Sequence, residues 1–387
     1  MTSIHFRRPL MAAFALILLG VSATARAETI DTSARQAIII DYKTGSVLLE
    51  KNADELMVPS SMTKLMTAYL VFEKLKEGSW KLSDQLPVSE TTWKKHVKSG
   101  GSLMFLPVNS TASVDDLIHG MIIQSGNDAC SVLAEAYAGS EESFGDEMTR
   151  RARLLGMKNT NFRNASGLPE SDHLTTARDL STLARRLIND YPEYFPIYSQ
   201  REFVFNGIKQ GNRNPLLYAV SGADGLKTGH TEAAGYGLVG TVKRGDRRVI
   251  MVINGMKSMK ERAEESARLV EWAFREFENY ALFKAGDVVT DAEVWLGDAA
   301  TVPLVAGDKL EATMPRKARR DMKVTAVYDG PIAAPIRKGQ PVGKLVIAAP
   351  GINTVELPLL AGADVEKLGF MGRMTAALKH ILWGSKG

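Results

Sequence analysis

Ser61 and Lys64 stand three residues apart in Val58-Pro59-Ser60-Ser61-Met62-Thr63-Lys64-Leu65, where a proline-ended loop delivers a serine to the first turn of a predicted helix. At helical pitch such residues share a face, so a hydroxyl and an ammonium can meet in one small volume. A serine hydroxyl is a poor nucleophile until a base takes its proton. A lysine, whose ordinary pKa is about 10.4, acts as that base only when desolvation or a neighbouring cation lowers it. The helix start adds unpaired N–H groups, which favour negative charge developing beside the serine. Ser-x-x-Lys also arises by chance, and Ser60 or Ser61 could serve simply as an N-cap, so the pair takes its weight from its company.

Two further elements follow in order: Ser125-Gly126-Asn127, and Lys227-Thr228-Gly229 at the head of a strand-like run. Ser125 can relay a proton to a leaving amine and Asn127 can hydrogen-bond a substrate amide. Lys227 and Thr228 can bind a carboxylate, while Gly229 lets substrate approach the strand backbone. The set is of the type used by class A β-lactamases and penicillin-binding proteins, with Gly126 where that pattern has aspartate. His5, His96, His119, His173, His230 and His380 are scattered without His-Glu-x-x-His spacing, which disfavours a zinc peptidase. No Gly-x-Ser-x-Gly elbow marks an α/β-hydrolase. The chemistry requires no metal and no other cofactor.

The elements that must position these residues come from a chain of 387 residues, 45% apolar and 24% charged, enough for a large core and more than one domain. Arg7 and Arg8 precede an apolar run over residues 11–21, and Ala25-Arg26-Ala27 supplies small residues for cleavage. Residues 1–27 therefore read as a secretory signal, too short in its apolar part to span comfortably, with the mature chain starting near Glu28. Of the formal net charge of +4, Arg7, Arg8 and Arg26 belong to that signal and no acid precedes Glu28. The mature chain is thus close to neutral, which implies no nucleic-acid partner. Cys130 is the sole cysteine, so no intramolecular disulfide and no cysteine-rich metal site can form; a small buried apolar role suits it.

Strand-like runs at 37–42 and 46–50, joined by Lys43-Thr44-Gly45, predict a hairpin leading to the Ser61 helix, which continues through Leu65, Met66, Tyr69 and Phe72 and stops at Gly78. Residues 83–108 lose periodicity and predict a long surface loop. Ser113 reads as the N-cap of a helix over 114–120. Further helices are predicted at 128–138, at 141–155 closed by Gly156, and at 176–188 ahead of Pro192. Strands at 235–242 and 247–254, then a helical pattern over 261–280, complete a domain of residues 28–284. Short β-branched runs at 301–305, 323–328, 344–348 and 353–357 predict a small all-β domain over 285–362. In residues 363–387, Leu368, Met371, Leu378, Leu382 and Trp383 can share one helix face while Arg373, Lys379 and Lys386 decorate the rest. Such an amphipathic helix either packs on the β domain or lies in the headgroup region of an anionic membrane.

Gly101-Ser102-Leu103-Met104-Phe105-Leu106, Gln124-Ser125-Gly126-Asn127-Asp128-Ala129-Cys130 and Asp224-Gly225-Leu226-Lys227-Thr228-Gly229-His230-Thr231 resemble the low-molecular-mass penicillin-binding proteins that are D-alanyl-D-alanine carboxypeptidases. The resemblance spans residues 37–280 and continues more loosely to the C-terminus. It implies an α/β transpeptidase-like fold, of α+β type, with a five-stranded sheet flanked by helices and a site between the sheet and an all-helical cluster. Carried over by motif, Ser61 is the acyl-ester nucleophile, Lys64 the proton acceptor, and Ser125 with Asn127 the second element. Lys227, Thr228, Gly229 and His230 form the other wall, the backbone N–H groups of Ser61 and His230 the oxyanion hole, and Arg213 and Arg262 lie near the substrate carboxylate. The implied substrate is a peptidoglycan stem pentapeptide, with β-lactams as covalent inhibitors. The implied location is the periplasmic face of the inner membrane, held there by the C-terminal helix. A D,D-endopeptidase shares these motifs. A serine β-lactamase is disfavoured because residues 164–174 offer Glu170 but no Glu-x-x-Leu-Asn loop, and a silent cell-wall-binding module is disfavoured by the intact Ser61, Lys64, Ser125 and Lys227.

Overall fold

The computed structural model describes residues 30–98, 101–350, 354–370 and 372. The predicted secretory signal, and residues 371 and 373–387 of the predicted C-terminal helix, lie outside the described residues. The start of that predicted helix is extended instead: Val365 bridges Ile336 and Lys367 bridges Gly297, and Val365 is buried in the β-domain core, so tertiary pairing overrides the helical period there.

Strands β1 (Gln36–Asp41) and β2 (Val47–Lys51) form the predicted antiparallel hairpin. Its turn is tied by Asp41, whose Oδ1 accepts the Lys43 and Thr44 N–H groups at 3.0 Å each, and by Gly45 at φ +73°, the left-handed region that glycine enters without a Cβ penalty. A single 3₁₀ turn, Ser60–Thr63, runs into α1 (Lys64–Lys76). The stretch predicted as loop instead holds β3 (Gln85–Pro87) and α2 (Glu90–His96), the latter capped by Ser89 Oγ, which accepts the Thr92 N–H at 3.0 Å. Three- and seven-residue elements are too short to leave a period in the sequence. Strand β4 (Thr111–Ser113) pairs with β3 and ends at Ser113, the predicted N-cap of α3 (Val114–His119), after which residues Gly120–Gln124 make a π-helical turn.

Helices α4 (Asn127–Ala138), α5 (Glu141–Leu154) and α6 (Ala177–Asp190) follow, the last two capped by Ser140 and Thr176. A small hairpin of β5 (Glu202–Phe205) and β6 (Ile208–Gly211) and a one-turn α7 (Leu216–Ala219) lead to β7 (Ala223–Thr231), β8 (Gly235–Arg244) and β9 (Arg247–Met256), and then to α8 (Met259–Glu276). The five long strands form one antiparallel sheet in the order β2-β1-β9-β8-β7. Because side chains alternate across a strand, Ile38, Ile40, Ile250 and Val252 enter a core shared with the helical cluster, while Ala37, Ile39, Val249, Met251 and Ile253 enter a second core under Leu269, Val270 and Ala273 of α8. Both faces of the sheet are therefore covered, which explains why β1 reads as an uninterrupted apolar run rather than an alternating one.

The helical pattern predicted to reach residue 280 ends at Glu276, and β10 (Phe277–Phe283) replaces its last turn. Those residues pair with β13 (Leu310–Pro315), so tertiary pairing overrides the local period. The remaining strands, β11 (Val288–Trp295), β12 (Thr301–Ala306), β14 (Lys323–Tyr328), β15 (Ile332–Ala333), β16 (Pro341–Ala348) and β17 (Val355–Ala361), build a sheet in the order β14-β16-β17-β12-β11-β15. It has its own core of Val302, Leu304, Leu345, Ile347 and Leu359. The fold is thus an α/β unit followed by an all-β unit. The two meet where Lys43 pairs with Glu311 at 2.6 Å and where the Arg247 Nη1 donates to the Phe277 carbonyl at 2.7 Å.

Candidate active site

Ser61 lies in the 3₁₀ turn rather than in the first turn of the α-helix, and Lys64 opens α1 behind it. The turn is gripped from two sides. On one side Gly167, at φ +82°, presses so closely that a Cβ there would stand 1.8 Å from the Ser60 carbonyl oxygen. On the other, a Cβ on Gly229 of β7 would come within 3.1 Å of the Pro59 oxygen and 3.2 Å of Met62 Cγ. Gly229 thus lies close against the serine-bearing turn as well as lining the cleft. Between these walls Ser60 itself takes a left-handed φ of +50°.

Lys64 is 1% exposed. Its Nζ is 3.0 Å from Ser61 Oγ, 2.8 Å from Asn127 Oδ1 and 2.6 Å from the Ser166 carbonyl oxygen. The amide and carbonyl oxygens can only accept, so in the neutral amine they take both N–H groups and leave the lone pair facing the Ser61 hydroxyl. Burial lowers the Lys64 pKa and the Arg213 charge adds to that, while Glu141 and Asp128 oppose it. The geometry is that of a general base poised on a serine.

Ser125 is 2% exposed and ends the π turn at a left-handed φ of 68°. Asn127, whose N–H donates to the Ser102 carbonyl at 2.7 Å, opens α4. A Cβ on Gly126 would lie 3.0 Å from Asp128 Oδ1 and 3.1 Å from Met104 N, so a larger residue here would crowd both. The Asp128 carboxylate accepts the N–H groups of Met104 at 2.9 Å and Leu106 at 3.1 Å to hold the 101–106 segment.

Lys227, Thr228, Gly229 and His230 lie within β7, the edge strand of the sheet, which begins four residues before Lys227. Lys227 is buried, and its Nζ donates only a long bond of 3.3 Å to the Thr228 carbonyl. Burial drives its pKa well below the ordinary lysine value, reinforced by the Lys64 and Arg213 charges. The His230 ring stacks on Tyr236 with centroids 3.9 Å apart. Arg213 Nη1 bonds Ser102 Oγ. Arg262 is buried over the Tyr236 ring, 5.8 Å away, with an Nε that has no hydrogen-bond partner; burial pushes its pKa down to about 10. Ser61, Ser125, Asn127, Arg213, Thr228, Gly229, His230 and Arg262 all line one cleft of about 710 Å³, with Lys64 and Lys227 buried beneath it. No carboxylate is among the described lining residues, so its cations await an anionic ligand.

Sequence reasoning missed the segment behind Lys64. Asn164 Oδ1 accepts the N–H groups of Gly167 at 2.7 Å and Leu168 at 3.2 Å, shaping the loop that presents the Ser166 carbonyl. An asparagine two to four residues ahead of a glycine is a turn signal that could have marked it. His173 is 1% exposed: its Nε2 is 2.8 Å from Thr63 Oγ1, its Nδ1 is 3.0 Å from Arg163 N, and burial lowers its pKa to about 4. Glu170 is exposed, accepts from Asn164 Nδ2 at 3.0 Å and does not line the cleft, so it does not act on a water there. Cys130 is fully buried, donates its S–H to the Gly126 carbonyl at 3.2 Å and has its thiol pushed up to about 12, which makes it an inert packing residue.

A family model described as D-alanyl-D-alanine carboxypeptidase matches residues 22–258, and one described as penicillin-binding protein 5, C-terminal domain, matches residues 277–367. The chain is 40% identical over 366 residues to D-alanyl-D-alanine carboxypeptidase DacC of Escherichia coli, covering 93% of this chain and 92% of that one. Penicillin-binding protein 5 from Haemophilus influenzae superposes with a TM-score of 0.78 at 36% identity, over 87% of this chain and 99% of that one. Penicillin-binding protein D2 from Listeria monocytogenes, in its ampicillin-bound form, superposes at 0.56 and 32% identity over 63% of this chain and 98% of that one.

The buried neutral His173 makes stability pH-dependent. The unfolded chain takes up a proton at this residue below about pH 6.5, whereas the folded chain resists until about 4. The unfolded state binds more protons across that window, so stability falls as pH drops through it. Urea denaturation at pH 7 and pH 5 should show this loss in the wild type and a smaller one in His173→Gln; equal losses in both would remove His173 as the cause.

Proposed function

The chain belongs to the D-alanyl-D-alanine carboxypeptidase family, and from that premise we propose how its cleft carries out the reaction. The protein is a serine peptidase of cell-wall remodelling. In this reading the substrate is a peptidoglycan stem pentapeptide. Lys64, as the neutral amine, takes the Ser61 proton while Ser61 Oγ attacks the carbonyl between the two terminal D-alanines. The N–H groups of Ser61 and His230 stabilise the oxyanion. Ser125 relays the proton to the departing D-alanine amine, and water then hydrolyses the acyl ester. Lys227, Thr228 and Arg213 hold the terminal carboxylate, with Arg262 beside them, and Asn127 bonds the substrate backbone as well as Lys64. The observation that carries this reading is the buried Lys64 amine 3.0 Å from Ser61 Oγ, its N–H groups already engaged by two acceptors. A β-lactam offers a strained carbonyl and a carboxylate in the same arrangement, and the ampicillin-bound relative supports extending that binding to this chain.

The protein is, in the same reading, exported after removal of residues 1–27 and works on the periplasmic face of the inner membrane. Residues 28–284 carry catalysis, residues 285–368 form a β stalk, with β10 pairing across that division and Val365 in the stalk's core, and the residues beyond lie as an amphipathic helix on the anionic headgroups. Among the described residues no helix is long and apolar enough to cross a membrane; the amphipathic pattern of the C-terminal sequence is what supports a peripheral attachment.

Ser61→Ala should abolish both release of D-alanine from a pentapeptide and covalent labelling by a fluorescent penicillin; a mutant that still labels would move the nucleophile elsewhere. Lys227→Ala should weaken capture of carboxylate-bearing substrates by about 1.5–3 kcal/mol, roughly tenfold or more in acylation efficiency. An equal loss on a substrate with an amidated C-terminus would point to a general structural defect instead. Deleting the chain from Phe370 onward, which spares Val365 of the β-domain core, should release active enzyme from membranes, and a full-length protein already soluble in low salt without detergent would sink the anchor.

A further inference from the structure

We infer that His173 is a positioning residue: its imidazole, bonded at both nitrogens, clamps the Ser61 turn to the loop behind Lys64 and keeps the Ser166 carbonyl closed over the amine. This rests on the reading of Ser61 and Lys64 as nucleophile and base. The direction of each bond is forced. The Arg163 backbone N–H can only donate, so His173 Nδ1, 3.0 Å away, accepts and carries no proton. The neutral ring must then be protonated at Nε2, which donates to Thr63 Oγ1 at 2.8 Å. Thr63 stands between Ser61 and Lys64, and Arg163 stands three residues before Ser166. One ring thus joins the two segments whose atoms bracket the Lys64 amine: Ser61 Oγ at 3.0 Å and the Ser166 oxygen at 2.6 Å.

The rest of the loop leaves the clamp no slack. Thr67 Oγ1 donates to the Ala165 carbonyl at 2.7 Å, and Gly167 already touches the Ser60 carbonyl. The Phe162 ring meets the imidazole edge-on at 5.7 Å, closing the apolar side. Released from Thr63, the 163–168 loop would lift from the turn, water would reach the Lys64 amine, and the ammonium would regain the hydration that its burial denies it. Besides His173 itself, the charged and titratable groups acting on Lys64 from its neighbours are His96 of α2, Asp128 and Cys130 of α4, Glu141 of α5, Arg213, and Lys227 of β7. Those facing His173 are Arg163 and Lys64. Breaking the His173–Thr63 bond alters none of the first set, so a change in the basicity of Lys64 reports access of water.

The test is the pH dependence of acylation by a fluorescent penicillin in the full chain, measured with Thr63→Val and His173→Asn, which break the bridge from its two ends, and with Thr63→Ser, which keeps the hydroxyl. The acid limb of the acylation rate should move to higher pH by about half a unit in the first two, a loss of about threefold on that limb, while Thr63→Ser should overlay the wild type. An unmoved limb, whatever happens to the melting temperature, would reduce His173 to a packing residue. In the wild type, ring nitrogen chemical shifts showing the proton on Nδ1 would also overturn the inference. Failure of the underlying reading is separate: it would appear as retained labelling of Ser61→Ala, whereas an unmoved limb with a silent Ser61→Ala removes only the role given to His173.

Discussion

The structure depends on holding an amine in the dry interior without a carboxylate beside it. An ion pair would favour the ammonium of Lys64 and end its usefulness in the proposed role of base; the amine instead meets neutral acceptors, Asn127 Oδ1 and the Ser166 carbonyl. That choice propagates. A backbone carbonyl can serve as an acceptor only if its loop is fixed, and Asn164, Gly167 and His173 are each spent on fixing it. Lys227 is likewise buried without a carboxylate on the opposite wall, and with Arg213 and Arg262 lining the cleft and no acid among its described lining residues, the site is a receptor for negative charge.

The covered sheet provides the rigidity that these distances require. Its strands feed two cores at once, and each segment lining the cleft is tied directly to packed structure: the Ser61 turn starts α1, the Ser125 turn starts α4, and Lys227 to His230 lie in β7. A side chain one or two residues from a packed helix or within a strand has little freedom to drift, which suits a reaction that depends on tenths of an ångström.

Much of this was legible in the sequence because the reacting side chains are coded one residue at a time. The three short motifs, the cap at Ser113, the glycine stops and the strand pair over 235–254 follow from local rules. What stayed hidden was contributed by the backbone or by partners distant in sequence. The Ser166 oxygen has no side-chain signature, the switch from α8 to β10 is decided by β13, and β11 carries acids among its alternating residues that mask its period. Gly229 and Gly126 were visible as motif positions, but their close neighbours, Pro59 and Met62 in one case and Met104 in the other, meet them only in three dimensions.

The burial of Cys130 has a consequence for the whole molecule. With its one thiol sealed beneath the Ser125 turn and hydrogen-bonded to a carbonyl, the chain offers no accessible thiol for a mixed-disulfide partner or a second copy to seize. Its native state is therefore independent of thiol–disulfide exchange, and reaching that state requires no disulfide isomerase; packing and hydrogen bonding do what a covalent cross-link would.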